Sequence, residues 1–567
     1  MTRQWLVLGA FLVLGLIVYA PSLAGPFQFD DKRVILDPKV RENPKAWGYG
    51  GIWGTRGLVQ GSFWLDWRLW GEKTAMYHVE NVLVHVFASW LVFILIGQIL
   101  AFSDQRLASS WLPVFGGLVF LLHPLQTQAV AYISQRFESV AAMFYLLAVV
   151  LYLKSKKLLA FVAGMAVASS KEIAITLPVI LIVLELLVIR PSSPRGSRPA
   201  PPPRWGYQWL VLALFFLIPV KIVAQVVMSA DLGGQTPTVA DIGRQLAVVE
   251  RQEPTMTRWT YLLTQFNVLR TYMRMLVLPV GQSLDHDNPL QTGWDAKTVA
   301  SLVGIVGLVG ISLLVTRKNR LVTLAIWWWF ITLAPTSSVI PIRDVIYEHR
   351  VYLAMVGWVL LLVVVVGLRQ RRWMVVAGAT LLLLYAGLTL ARNTVWASEV
   401  RLWEDAWKKG RNKDRTNKNY GFVLTQEKRF SEGIARLERA VELKPEDQDY
   451  RITLGAAYLQ VQEWEQARQQ FERATSLRSD KADGWNNLGV ALFQLKRYQE
   501  SKQMFLKALE LDDRFYMAWL GLGGAEIVLG NLDAARTALN RAVEIEPKAP
   551  EAYRNLAILE KIKSSRD

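Results

Sequence analysis

The sequence predicts an all-α protein, in which a polytopic transmembrane domain of about eleven helices precedes a C-terminal α-solenoid. Two observations carry that reading. Apolar residues crowd into positions 1–390 as runs of roughly 20, the length that crosses a bilayer core. Small and large residues then recur every 34 positions towards the C-terminus, where charged residues dominate. Of the 567 residues, 52% are hydrophobic, more than a soluble chain of this length usually carries.

The predicted spans are residues 5–23, 79–102, 111–122, 140–153, 158–168, 173–189, 209–227, 299–315, 321–333, 351–368 and 375–390. The first has a short basic start but lacks a clear small-residue cleavage site, so it reads as an uncleaved helix rather than a signal peptide. A twelfth apolar stretch, 261–280, is interrupted by Arg270 and Arg274 and reads as amphipathic or re-entrant. Net charge is +17, with many of the cations in short loops between apolar runs. Such loops set topology, and no basic-aromatic motif for nucleic acid accompanies them. The basic loops at Arg3, 154–157, 190–204, 317–320 and 369–372 are expected on the cytoplasmic side, with 191–203 a Pro/Ser-rich linker. An odd number of spans then places the solenoid on the other side, with loops 21–77, 123–139, 169–172, 228–258, 281–297 and 334–350. The chain has no cysteine, which excludes disulfides and Cys-ligated metals. The expected setting is a bacterial inner membrane, N-terminus cytoplasmic.

The repeat is explicit in single positions. Ala406, Ala440, Ala474, Ala508 and Ala542 lie 34 apart, as do Gly421, Gly455, Gly489 and Gly523. Trp485 to Gly489 and Trp519 to Gly523 fit the W-x₂-L-G signature of tetratricopeptide repeats (TPRs). The expected domains are therefore a membrane unit over 1–391, a connecting half-repeat over 392–411, and a solenoid over 412–567 of about four repeats plus a capping helix. Its concave groove would bind a protein partner or serve self-association.

Charged residues mark the predicted outer loops. Asp30 and Asp31 follow the first span; they serve either as a general base for an acceptor hydroxyl or as a helix cap. His123 to Glu138, with Arg136 between them, form a second group. Lys171 and Glu172 form a third, and Glu348, His349 and Arg350 a fourth. Four such groups on one face suggest a shared polar cavity in which Arg and Lys meet a phosphate. Asp285, His286 and Asp287 are metal-ligand types, but three adjacent residues do not easily converge on one ion. Phosphate-binding glycine loops, nucleophile elbows and HExxH are all absent from the sequence.

These groups resemble a known family. Phe29-Asp30-Asp31 is similar to the first-loop acidic motif of GT-C glycosyltransferases. His123 through Ala131, Gln135 through Glu138, Lys171-Glu172, Leu278 through Asp285, and Pro335 through Tyr352 are similar, in the same order, to motifs of the transmembrane and TPR-containing O-mannosyltransferases. The sequence departs from that pattern at Gln128, where the family has an acid, and at His349, which separates Glu348 from Arg350. The resemblance implies a GT-C-like fold and an inverting transfer of sugar from a polyprenyl-phosphate donor to a hydroxyl, a Ser or Thr of a protein, on the extracytoplasmic face. It implies Asp30 and Asp31 as catalytic base and partner. Arg136, Lys171 and Arg350 are assigned from charge to the donor phosphate, with His123, Glu138, Glu172, Glu348 and His349 supporting. The paired carboxylates leave room for a divalent metal, with no ligands assigned. The expected partners are the lipid-linked sugar, membrane lipid, and an acceptor protein held in the TPR groove. Two alternatives stand beside it: a non-catalytic TPR scaffold on a membrane anchor, and a transporter of lipid-linked sugars.

Overall fold

The computed structural model describes residues 2–37, 41, 54, 56–103, 105–189, 213–221, 256–342, 344–367 and 372–565. Most of the predicted span 209–227, the linker 191–203 and most of loop 228–258 lie outside the described residues. All regular structure among the described residues is helical. The chain divides into two compact units, Met1–Leu402 and Trp403–Asp567.

The first unit holds seven helices long and apolar enough to cross a membrane among the described residues. They are Gln4–Ala24, Thr74–Ser103, Ile133–Leu153, Glu172–Ile189, Ala296–Val315, Glu348–Gly367 and Trp373–Trp396. The predicted span 111–122 is one arm of a bent pair, Leu112–Leu122 and Pro124–Ala131, that meet at 50°. The bend follows from Pro124, which removes a backbone donor and drives His123 into extended conformation (ψ 127). The predicted spans 158–168 and 321–333 are shorter apolar helices, Lys157–Ala168 and Arg320–Leu333. The interrupted stretch 261–280 begins as the 20-residue helix Arg258–Val277, started by a Thr257–Thr260 capping box.

Burial orders the bundle. Ile133–Leu153 and Glu348–Gly367 each have 72% of their apolar window buried, whereas Ala296–Val315 has 17% and is peripheral. Gly357 explains one tight contact: a Cβ there would run into the Ala325 carbonyl oxygen, so two helix backbones pack closely. A buried polar node pins the Gly357 helix to three more elements. His85 meets the hydroxyls of Tyr352 at 2.7 Å and Tyr19 at 3.3 Å and the Leu121 carbonyl at 3.1 Å. Polar groups at this depth need partners inside the protein, and His85 has them.

The second unit is a stack of helical pairs: Asp414–Gln426 with Phe430–Leu443, Gln448–Gln460 with Trp464–Leu477, Ala482–Gln494 with Tyr498–Leu511, Tyr516–Leu529 with Leu532–Ile545, then Pro550–Ser564. The repeating glycines permit close pairing. A Cβ on Gly455 or Gly489 would stand 2.7 or 2.8 Å from the Phe471 or Phe505 ring, itself buried. The turn between the helices of each pair adopts left-handed backbone at Lys428, Gln462, Lys496 and Gly530 (φ 61 to 83), again 34 apart. Only the fourth copy carries the residue that favours this conformation.

Candidate functional site

Seven consecutive residues, Tyr132 to Glu138, join the predicted outer groups. The first loop reaches them through Asp31. Phe29 takes a positive φ of 45, rare outside glycine, and turns the chain into the short helix Asp30–Val34. Asp31 is thereby buried. One carboxylate oxygen accepts the Gln28 backbone N–H at 3.0 Å and the other accepts that of Ser134 at 2.7 Å. Burial pushes the Asp31 carboxyl up to about 7, against the pull of those two N–H donors. Asp30 is half-buried, and its backbone N–H donates to the Tyr132 hydroxyl at 2.9 Å. The Tyr132 ring stacks on Trp396 with centroids 5.7 Å apart, and the Gln28 amide donates to the Trp396 carbonyl at 2.8 Å. The two adjacent acids thus differ: Asp31 faces inward and Asp30 faces partly out.

Arg136 does not have the open setting expected of a phosphate ligand. It is 2% exposed. Its Nε donates to the Asn81 amide oxygen at 2.7 Å and its Nη2 to the Tyr77 carbonyl at 3.2 Å. Its Nη1 meets Asp66 closely, Glu80 at 3.2 Å and the Ser62 hydroxyl at 3.2 Å. The Phe63 ring covers the guanidinium at 4.6 Å. The fork is taken up inside the protein, where it ties helix Gly57–Trp70 to the start of Thr74–Ser103. Sequence reasoning missed Asp66 and Glu80, because their partner is 70 and 56 positions away and nothing local marks the pairing.

Glu138 closes the segment on Lys171, whose ammonium it meets at short range from a buried position. The next residue, Glu172, takes Arg56 Nε at 3.2 Å in a more exposed pair. Lys221 adds a further cation, donating to the Ser169 hydroxyl at 2.7 Å. It was missed because it lies inside an apolar run.

The bent pair supplies the link to the fourth group. His123 is buried; its Nδ1 accepts the Leu125 N–H at 3.2 Å and its Nε2 meets the Leu276 carbonyl at 3.0 Å. Those partners fit a neutral imidazole that shapes the bend. The Gln128 amide oxygen accepts the His349 N–H at 2.8 Å. The Pro124 carbonyl accepts from Gln282, whose amide also reaches Glu348 at 3.2 Å. Glu348 is buried and accepts the Ser283 N–H at 2.7 Å and His286 Nε2 at 2.8 Å. His286 is therefore turned to Glu348, and among the described residues no group of three or more His, Asp or Glu gathers as metal ligands. Arg350 donates to the carbonyls of Asp344 at 2.6 Å and Val345 at 3.2 Å. The His349 ring stacks on Tyr347 at 5.0 Å and lies within electrostatic reach of both Lys171 and Arg350.

Several buried polar atoms around these elements have no hydrogen-bond partner among the described residues: both side-chain polar atoms of Gln126, Gln128 Nε2, His349 Nδ1 and Trp396 Nε1. Such atoms are costly unless something else satisfies them.

Tetratricopeptide-repeat family models match residues 424–488, 482–515 and 516–559. The mouse (Mus musculus) protein O-mannosyl-transferase TMTC3 is 26% identical over 496 residues, spanning 78% of this chain and 51% of that protein. The protein O-mannosyl-transferase F38B6.6 of Caenorhabditis elegans is 23% identical, spanning 76% of this chain and 62% of that protein. The chain thus spans between half and two thirds of the length of these curated relatives. Among solved structures, the crystal structure of MamA aligns with 26% of this chain at 22% identity and a TM-score of 0.25. The chain is accordingly similar, over about three quarters of its length, to protein O-mannosyl-transferases, and its C-terminal unit carries tetratricopeptide repeats.

Proposed function

We propose that this chain is a membrane glycosyltransferase that moves a sugar from a polyprenyl-phosphate donor to a hydroxyl, on a Ser or Thr of an acceptor protein, at the extracytoplasmic face of a bacterial inner membrane. The observation that carries the reading is the segment Tyr132 to Glu138, which touches the paired first-loop acids at one end and Lys171 at the other. Acid and cation are the two charges that the reaction needs.

A sugar on a lipid phosphate already has a good leaving group. The acceptor oxygen attacks the anomeric carbon, its proton passes to a carboxylate, and the anomeric C–O bond breaks with its electron pair leaving on the phosphate. The attack comes from the face opposite the departing phosphate, so configuration inverts. Asp30, partly exposed, takes the proton. Asp31, with an oxygen on each of two backbone N–H groups, positions the turn that presents it. Lys171 and Arg350, both within electrostatic reach of His349, stabilise the charge growing on the phosphate. Glu138 sets the Lys171 ammonium and Glu348 sets His286. Arg136 is a positioning residue, because it holds the scaffold rather than the donor. The unpartnered donors and acceptors of Gln126, Gln128, His349 and Trp396 suit a ligand rich in hydroxyls. The TPR groove would hold the acceptor protein and raise its local concentration.

The test is transfer of labelled sugar in proteoliposomes containing the full chain. Lys171→Met is expected to lose at least about a hundredfold in rate. Lys171→Arg is expected to retain part of it. A Lys171→Met protein that folds and transfers at the original rate overturns the phosphate assignment.

A further inference from the structure

A second polar feature lies at the other end of the same helices. Thr74–Ser103, Glu172–Ile189 and Glu348–Gly367 begin near the paired acids and cations, and their far ends surround a cavity of about 500 Å³. Half-buried Phe102, Leu107 and Leu187 form its accessible apolar side, and Arg317, Lys318 and Arg320 line it as well. All three cations are exposed. Among the described residues, no acidic side chain lines the cavity and none of the three cations meets a carboxylate. Asn319, between them, is already engaged: its amide oxygen accepts the N–H groups of Leu321 at 3.1 Å and Val322 at 3.4 Å.

Cations in a basic loop set topology, which requires no cavity. Here they line one together with the half-buried apolar side chains of Phe102, Leu107 and Leu187. From this juxtaposition we infer that the cavity binds the phosphate headgroup of an anionic phospholipid, with its acyl chains along Phe102, Leu107 and Leu187. Charge complementarity selects the occupant. A free sugar would leave the cations unmatched, a cationic headgroup would be repelled, and a bare phosphate would leave the apolar wall uncovered. The site is separate from the proposed reaction centre and does not depend on it.

The test is native mass spectrometry of the detergent-solubilised full chain titrated with phosphatidylglycerol, phosphatidylcholine or inorganic phosphate. Phosphatidylglycerol is expected to bind with a defined stoichiometry. The combined variant Arg317→Gln, Lys318→Gln, Arg320→Gln should weaken it on the order of a hundredfold. Ser103→Trp, which leaves every cation in place and fills the exposed lining position, should weaken it at least about tenfold. Lys154→Gln with Lys156→Gln, which removes exposed cations from another predicted cytoplasmic loop, should leave binding unchanged. Equal loss in the Lys154/Lys156 variant, no loss in the triple variant, or equal binding of phosphatidylcholine would overturn the inference. Inorganic phosphate that binds alone and displaces the lipid would replace it with a free-anion site.

Discussion

Replacing Arg136 by Gln should destabilise the membrane unit, and the loss should depend on pH. Asp66 lies buried against the guanidinium, with Glu80 on the same Nη1. Burial holds the Asp66 carboxyl above its ordinary range, Arg136 draws it back, and Glu80 raises it again. Removing the cation leaves two carboxylates facing each other, one of them 3% exposed. Breaking a buried ion pair by deleting one partner costs about 3–5 kcal/mol. The sign follows from the direction of the shift. A carboxyl raised in the folded state contributes stability that is present at low pH and lost as pH rises through its folded value. In Arg136→Gln that folded value climbs further, so at pH 8 the variant must either bury a charge or hold a proton that the unfolded chain has released. At pH 5 the proton is held at little cost, and the deficit shrinks to the loss of hydrogen bonds, roughly 1–3 kcal/mol. Thermal unfolding in detergent at both pH values reads the difference. Arg136→Lys, which keeps the charge and loses the fork, should fall between. An Arg136→Gln protein as stable as the parent, or one with the same deficit at both pH values, would refute the positioning role.

Asp31→Asn tests the other buried acid. With a folded value of about 7, the parent carboxyl loses stabilisation as pH rises to that point, roughly 4 kcal/mol in full. The variant does not titrate, but its amide faces one backbone N–H, donor against donor. Relative to the parent it should be destabilised at pH 5 and gain ground by pH 8; a constant difference in denaturation would contradict this. Gly357→Val should cost at least about 1–3 kcal/mol through overpacking against the Ala325 carbonyl, read as a lowered thermal midpoint. Gly530→Ala should cost about 1 kcal/mol in the solenoid, because alanine resists the left-handed turn, whereas Lys496→Gly at the equivalent position should not destabilise; hydrogen exchange across 516–545 reports the first and across 482–511 the second.

The solenoid was legible because its contacts are local. Gly489 and Phe505 are 16 positions apart, and every unit sets a Gly against a Phe or Leu at that spacing. The left-handed turns at Lys428, Gln462 and Lys496 were not, because only Gly530 advertises the conformation by residue type. In the membrane unit the apolar runs announced the helices, but the loop expected over 123–139 gave no sign of the bent helix pair that meets at His123-Pro124. The acids and cations were visible as types; their pairing was not. Arg136 and Lys171 look alike in sequence, yet one is enclosed by Asp66, Glu80 and Asn81 and the other is paired at a partly open position. Asp285, His286 and Asp287 carry metal-ligand types, but His286 pairs with Glu348, 62 positions on. Burial and long-range partners decide such roles, and both exist only in the folded chain.

The most direct measurement is transfer of a labelled sugar from polyprenyl phosphate to an acceptor peptide by the full chain in proteoliposomes, comparing the parent with Asp30→Asn. The parent should transfer, and Asp30→Asn, folded by its thermal midpoint, should be slower by about 10²–10⁴-fold, the range for losing a general base. Transfer by Asp30→Asn at the parent rate would contradict the account.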